Sequence, residues 1–114
     1  MPDDCLFCKI VAGDIPADVV HQTDRVLAFR DINPGAPTHV LVIPKEHIAS
    51  AAEFGPEHGD LVTEIFAAVK EIARAEGISD GARVVTNIGP KSGQSVFHVH
   101  FHVLGGRPLS WPPG

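Results

Sequence analysis

The sequence predicts an α+β domain: a five-stranded, largely antiparallel sheet with one long helix and a short N-terminal helix. Three observations carry this. Short β-branched stretches recur between Gly and Pro punctuation, and a single run is long enough, at a helical period, for a substantial helix. No internal repeat or low-complexity tract interrupts the 114 residues, so residues 1–114 are expected to form one domain.

In chain order, residues 5–12 (CLFCKIVA) predict a short helix that Gly13 and Pro16 stop. Residues 18–23 and 25–32 predict two strands. Alternation in the second puts Val26, Ala28 and Arg30 on one face and Leu27, Phe29 and Asp31 on the other. Asn33-Pro34-Gly35 signals a turn, and the β-branched run 38–45 (THVLVIPK) is a third strand. The long helix is expected over 56–76. Pro56 suits its first position, and Leu61, Ile65, Val69 and Ile72 form an apolar stripe with Val62, Phe66 and Ala73. Gly77 suits the cap that ends it. Residues 82–88 and 97–104 complete the strands.

Composition narrows the function classes. A net charge of -5 argues against a nucleic-acid backbone as the main partner. A local phosphate site remains open, because backbone amides bind phosphate without net positive charge. No segment approaches the roughly 20 apolar residues of a membrane span. The N-terminus, MPDDCLFCKIV, is acidic with an apolar run too short for a secretion signal, so a cytoplasmic location is expected. There Cys5 and Cys8 would be thiols or metal ligands rather than a disulfide.

The segment FHVHFHVL concentrates the chemistry. On a strand, Val99, Phe101 and Val103 would pack on the core, and His98, His100 and His102 would stand together on the other face. Successive ones lie roughly 6.6 Å apart along the backbone, so one phosphate-sized group could touch two imidazoles. Aligned imidazoles suit a transition metal. They equally suit phosphoryl chemistry, with one ring as nucleophile and a neighbour stabilising charge. The preceding loop, 89–96 (GPKSGQSV), favours the phosphate. Gly93 permits close backbone approach, and Gln94, Ser95 and nearby amides through Val96 could cradle phosphate oxygens. Cys5-Leu6-Phe7-Cys8 has the spacing of half a zinc site and needs two further ligands; otherwise the cysteines are small buried residues.

The run His98-Val99-His100-Phe101-His102-Val103-Leu104 resembles the signature of the histidine-triad (HIT) superfamily of nucleotide hydrolases and transferases. The similarity extends through CLFCKIVAGDIPA, LAFRDINPGAPTHVLVIPKEHI, NIGPKSGQSVFHVHFHVLGG and the terminal WPPG, nearly the whole chain. Gly105-Gly106 and the ending resemble the Hint branch of purine nucleoside phosphoramidases. In the branch that cleaves dinucleoside polyphosphates, Pro-Arg typically stands there.

The resemblance implies a HIT-like fold and divides the labour. His100 would be the nucleophile, forming a nucleotidyl-histidine that water resolves, and His102 would donate to the phosphate oxygens. Asn87 and Ser95 would position phosphate and leaving group, with Ser95 helping to protonate the latter, and His39 would orient the triad. Asp31 matches the carboxylate that binds the ribose, and Phe7, Ile10, Ile15, Phe29 and Ile32 would line a base pocket. Bacterial-type relatives carry a structural zinc whose ligands match Cys5, Cys8, His47 and His98, and no catalytic metal is required. His21 and His58 match no role and are expected at the surface. The family also implies a homodimer, in which the Pro-rich tail 105–114 reaches the partner's active site and Trp111 shapes leaving-group preference. The expected substrate is a purine nucleoside phosphoramidate, such as an AMP–amine, or an acyl-adenylate. A non-catalytic nucleotide-binding module, a dinucleoside polyphosphate hydrolase and a metal-binding protein using the triad itself remain alternatives.

Overall fold

Strand pairing brings distant parts of the chain to one sheet. The structure, a computed structural model, describes residues 4–114. Strands β1 (Val19–Gln22), β2 (Val26–Arg30), β3 (Thr38–Pro44), β4 (Arg83–Val85) and β5 (Phe101–Gly105) form one sheet in the order β1-β2-β3-β5-β4. Every neighbouring pair is antiparallel. Helices α1 (Leu6–Val11) and α2 (Gly59–Ala75) complete the α+β fold expected from the sequence.

The central strands are buried on both faces, which explains why β2 and β3 read as continuous apolar runs. Val26, Ala28, Val40, Val42, Phe101 and Val103 pack under α2 against Leu61, Ile65, Val69 and Ile72. The alternate residues Leu27, Phe29, Leu41 and Ile43 form a separate cluster with Cys5, Phe7 and Cys8 around α1. Each fully buried Leu, Ile or Val side chain contributes about 1.5–3 kcal/mol from burial. Phe66 departs from the expected stripe. It is 46% exposed at the helix margin, with its ring 5.7 Å from that of Phe101.

Three boundaries differ from expectation for local reasons. Pro56–His58 forms a 3₁₀ turn, and α2 starts at Gly59. There the Gly55 amide donates to His58 Nδ1 at 2.9 Å, so half-buried His58 closes the helix entry and is more than a surface residue. β4 ends at Val85 because Thr86 bonds through its side chain, its hydroxyl donating to the His100 carbonyl at 2.8 Å. β5 begins only at Phe101. The residues before it leave the ladder, and the Val99 amide instead donates to the carbonyl of Ile48 at 2.6 Å.

At the far end of β5 the chain turns sharply. A Cβ on Gly105 would lie 2.8 Å from Ile78, and Gly106 has φ +94° with Pro37 at 2.9 Å from any added Cβ. Only glycine fits both positions without displacement. The tail is then tied back, with the Arg83 guanidinium donating to the Ser110 carbonyl at 3.0 Å.

Candidate functional site

The α1-side face of the sheet assembles the histidines. Register pairs His39 with Leu104 and Leu41 with His102, which makes His39 and His102 diagonal neighbours on one face. Their facing nitrogens, His39 Nε2 and His102 Nδ1, are 2.8 Å apart. Gly35 N–H donates to His39 Nδ1 at 2.9 Å. That nitrogen therefore carries no proton, and His39 donates to His102 from Nε2. His102 in turn keeps its own proton on Nε2. Burial, followed by the neighbouring His100 and His39, pushes the His102 pKa down to about 4, so the ring is a neutral donor at pH 7. The Asp31 carboxylate stands 3.5 Å from His39 Nε2.

His100 is held the opposite way. Its Nδ1–H donates to the His98 carbonyl at 2.8 Å, leaving the lone pair on Nε2. The ring of Phe7 stands edge-on at 5.1 Å, and Phe29 supports Phe7 at 5.4 Å. The His100 and His102 ring centres are 5.1 Å apart. A lone pair and an N–H donor thus occupy adjacent rings. This is the pairing that displacement at a phosphorus needs.

The loop before the triad is built around one buried amide. Gln94 donates from Nε2 to the carbonyls of Ala49 at 2.7 Å and Val96 at 3.1 Å, and its Oε1 accepts from the Gly89 amide at 2.9 Å. Its side chain braces the loop. The amides of Ser92, Gly93 and Gln94 are also engaged within the loop, and Gly93 has φ +105°. Ser95 is exposed and lines a cleft of about 320 Å³ with Cys5, Leu6, His47, Val96 and Phe97. Asn87 is half-buried just beyond β4. The expected base-pocket residues divide. Phe7 and Phe29 are buried, Ile10 and Ile15 are half-buried, and Ile32 is 91% exposed. Trp111, on the tail, is 81% exposed.

His98 belongs to another centre. Its Nε2–H donates to the Pro44 carbonyl at 2.8 Å, which leaves Nδ1 as a lone pair facing Cys5 Sγ at 3.4 Å and Cys8 Sγ at 3.5 Å. His47 Nδ1 lies 3.3 Å from Cys8 Sγ, and all four ligand atoms fall within 4.8 Å of one another. A tetrahedral zinc with ordinary Zn–S and Zn–N bonds has S···N edges of about 3.6 Å, so the donor set fits that ion. A backbone carbonyl fixing the tautomer of a ligating histidine is the usual supporting contact of such sites. Burial holds the His98 pKa down and keeps the ring neutral, as a ligand requires. Burial also pushes the Cys8 thiol up to about 11, with the Cys5 thiol adding to the effect. A bound cation would reverse that shift.

The three histidines therefore do not converge on one ion. A second trio, Asp31, His39 and His102, brings its donor atoms together. Its ring nitrogens, however, sit at hydrogen-bonding distance, closer than the roughly 3.4 Å edge of a tetrahedral nitrogen pair. Thr86, Gly35 and the carbonyls of Pro44 and His98 were not legible as site residues. Three of these four act through backbone atoms, which side-chain type does not mark.

Comparison with known proteins agrees with this geometry. The sequence matches the HIT domain family over residues 12–109. It is 51% identical over 114 residues, the full length of both chains, to an uncharacterised HIT-like protein of Synechococcus elongatus. It is 47% identical over 111 residues to a 14 kDa zinc-binding protein of Zea mays, covering 96% of this chain and 87% of the relative. The crystal structure of a HIT family hydrolase from Legionella pneumophila superposes with a TM-score of 0.95 at 50% identity, covering 97% of this chain and all of the other. A match over most of the chain, with half-identity to a structure of the same fold, shows that this protein belongs to the HIT domain family.

Proposed function

We propose that the protein is a nucleotide-binding hydrolase that cleaves the phosphorus–nitrogen or acyl-phosphate bond of purine nucleoside monophosphate adducts, such as AMP–amines. The observation that carries this is the opposed tautomers of adjacent rings: His100 offers a lone pair at Nε2, and His102 a proton at Nε2. His100 Nε2 attacks phosphorus and the bond to the amine breaks, the amine taking a proton from solvent with help from Ser95. The resulting phosphoryl-imidazolium is stabilised through its Nδ1–H by the His98 carbonyl. His102 donates to a non-bridging oxygen as charge builds. Water then displaces His100, releasing the nucleoside monophosphate and restoring the lone pair.

Asn87, Ser95 and the backbone at Val96 surround the phosphate, and Gly93 permits the loop's close approach. Gln94 serves through the loop it braces. Asp31 binds the ribose hydroxyls, and Ile10, Ile15 and Ile32 meet the base over the buried Phe7 and Phe29. Cys5, Cys8, His47 and His98 hold a structural zinc, supported by the tetrahedral donor spacing and the zinc-binding relative. Bound there, the ion would cross-link α1, the segment after β3 and the segment before β5, and would leave no open position for chemistry. A homodimer is supported by the β4 edge, the exposed Phe66 and Ile88, and the need to cover such an edge. In it Trp111 reaches the partner's site. Among the described residues no helix is long and apolar enough to cross a membrane; cytoplasmic residence is part of this proposal.

The test is turnover of an AMP–amine by His100→Gly. Loss of turnover with nucleotide binding retained supports the nucleophile, and rapid-quench mass analysis of wild type should detect a nucleotide attached at His100. Unchanged turnover in the variant overturns the assignment. Binding without turnover in the wild type leaves a regulatory nucleotide-binding module.

A further inference from the structure

We infer that Arg107, in the tail beyond β5, is a positioning residue that sets the tautomer of His102 through Gly35 and His39. The inference rests on the assignment of His102 as donor to the phosphate. The turn at Gly105-Gly106 returns the tail over the loop between β2 and β3, where Arg107 Nη2 donates to the Gly35 carbonyl at 2.9 Å. Its Nη1 donates to the Pro108 carbonyl at 3.0 Å, so the guanidinium bridges tail and loop. On the other side of the same α-carbon, Gly35 N–H donates to His39 Nδ1 at 2.9 Å. His39 must then carry its proton on Nε2, 2.8 Å from His102 Nδ1.

Each contact dictates the next. Gly35 is exposed and has no side chain to anchor it; Arg107 holds the peptide unit on one side of its α-carbon, which limits how far the amide on the other side can turn from His39. If that amide turns to water, His39 can take its proton on Nδ1 and present Nε2 as an acceptor. His102 would then have to donate from Nδ1 and turn a lone pair toward the phosphate. The donor becomes a repulsive acceptor without any residue of the triad being changed. The Asp31 carboxylate, 3.5 Å from His39 Nε2, favours the same working tautomer, so Arg107 acts with it rather than alone.

Nitrogen-15 spectra of the histidine rings test this directly, because protonated and bare ring nitrogens resonate far apart. Wild type should show bare Nδ1 and protonated Nε2 on both His39 and His102. Arg107→Ala should mix the two tautomers at these residues and lower kcat on an AMP–amine about tenfold, roughly one hydrogen bond's worth, with KM within about twofold. Arg107→Lys, which keeps one donor to the Gly35 carbonyl, should restore most of both. Wild-type ring spectra in Arg107→Ala overturn the inference, and so does a loss confined to KM, which a merely loosened tail would give. Should the protein fail to turn over AMP–amines at all, the hydrolase assignment falls, while the spectra still decide whether Arg107 sets the tautomers.

Discussion

At His100 and His102, identical side chains acquire opposite chemistry from single contacts: a carbonyl on one Nδ1 and a histidine N–H on the other. Removing the His100 ring should lower kcat at least about a thousandfold, measured by release of nucleoside monophosphate under saturating substrate. His102 has a further signature in stability. Its folded pKa of about 4 lies below the roughly 6.5 of an unfolded histidine, so between those values only the unfolded chain takes up the proton. Folding stability should fall as pH drops from 6.5 toward 4, by on the order of 1–2 kcal/mol from this ring once solvent screening is discounted. His102→Asn should flatten that part of the curve in urea titrations taken at each pH. The alternation of His98, His100 and His102 was legible from spacing alone, although only His102 lies within β5. Their protonation was not, since it is dictated by carbonyls and amides that any residue type supplies.

Among the elements, the 89–96 loop and the strand after it show how far local sequence reaches. The alternating run predicted a strand from Phe97, yet pairing starts at Phe101, and the His98 ring before it bonds the Pro44 carbonyl and faces the thiols. A pattern of alternating residues records which side each faces and not whether a neighbour is available to pair. The loop itself looked like a turn with phosphate-binding amides, while its buried Gln94 proves to be the internal brace. Gln94→Ala leaves the Gly89 amide and the Ala49 and Val96 carbonyls without that partner. Denaturant titration should show a loss of about 1–3 kcal/mol, the cost of unpaired buried polar groups, and KM for the nucleotide adduct should rise. Helix α2 was read correctly, and its first turn from Pro56 is 3₁₀, closed by His58 before the α-helical part starts at Gly59.

For the molecule as a whole, the sheet separates two apolar clusters that depend on different support. The α2 side is aliphatic packing, and Ile65→Ala there should cost about 2–5 kcal/mol in thermal or denaturant unfolding. The α1 side is small and is joined to the cysteine–histidine centre. Cys8→Ser should lose zinc by elemental analysis and lower the melting temperature, and it should leave the relative rates on different substrates largely unchanged. An ion held by both Cys5 and His98 would close a loop spanning 93 positions and so would remove chain freedom that α1, a helix of 6 residues, cannot restrain by itself. With zinc bound there, stability would not be one quantity in this protein. Amide deuterium exchange after chelation should accelerate sharply in α1 while β3 and α2 stay protected, so that half the molecule opens as a cooperative unit beneath an intact remainder. Uniform acceleration across both sides would show instead that the metal supports the whole fold at once.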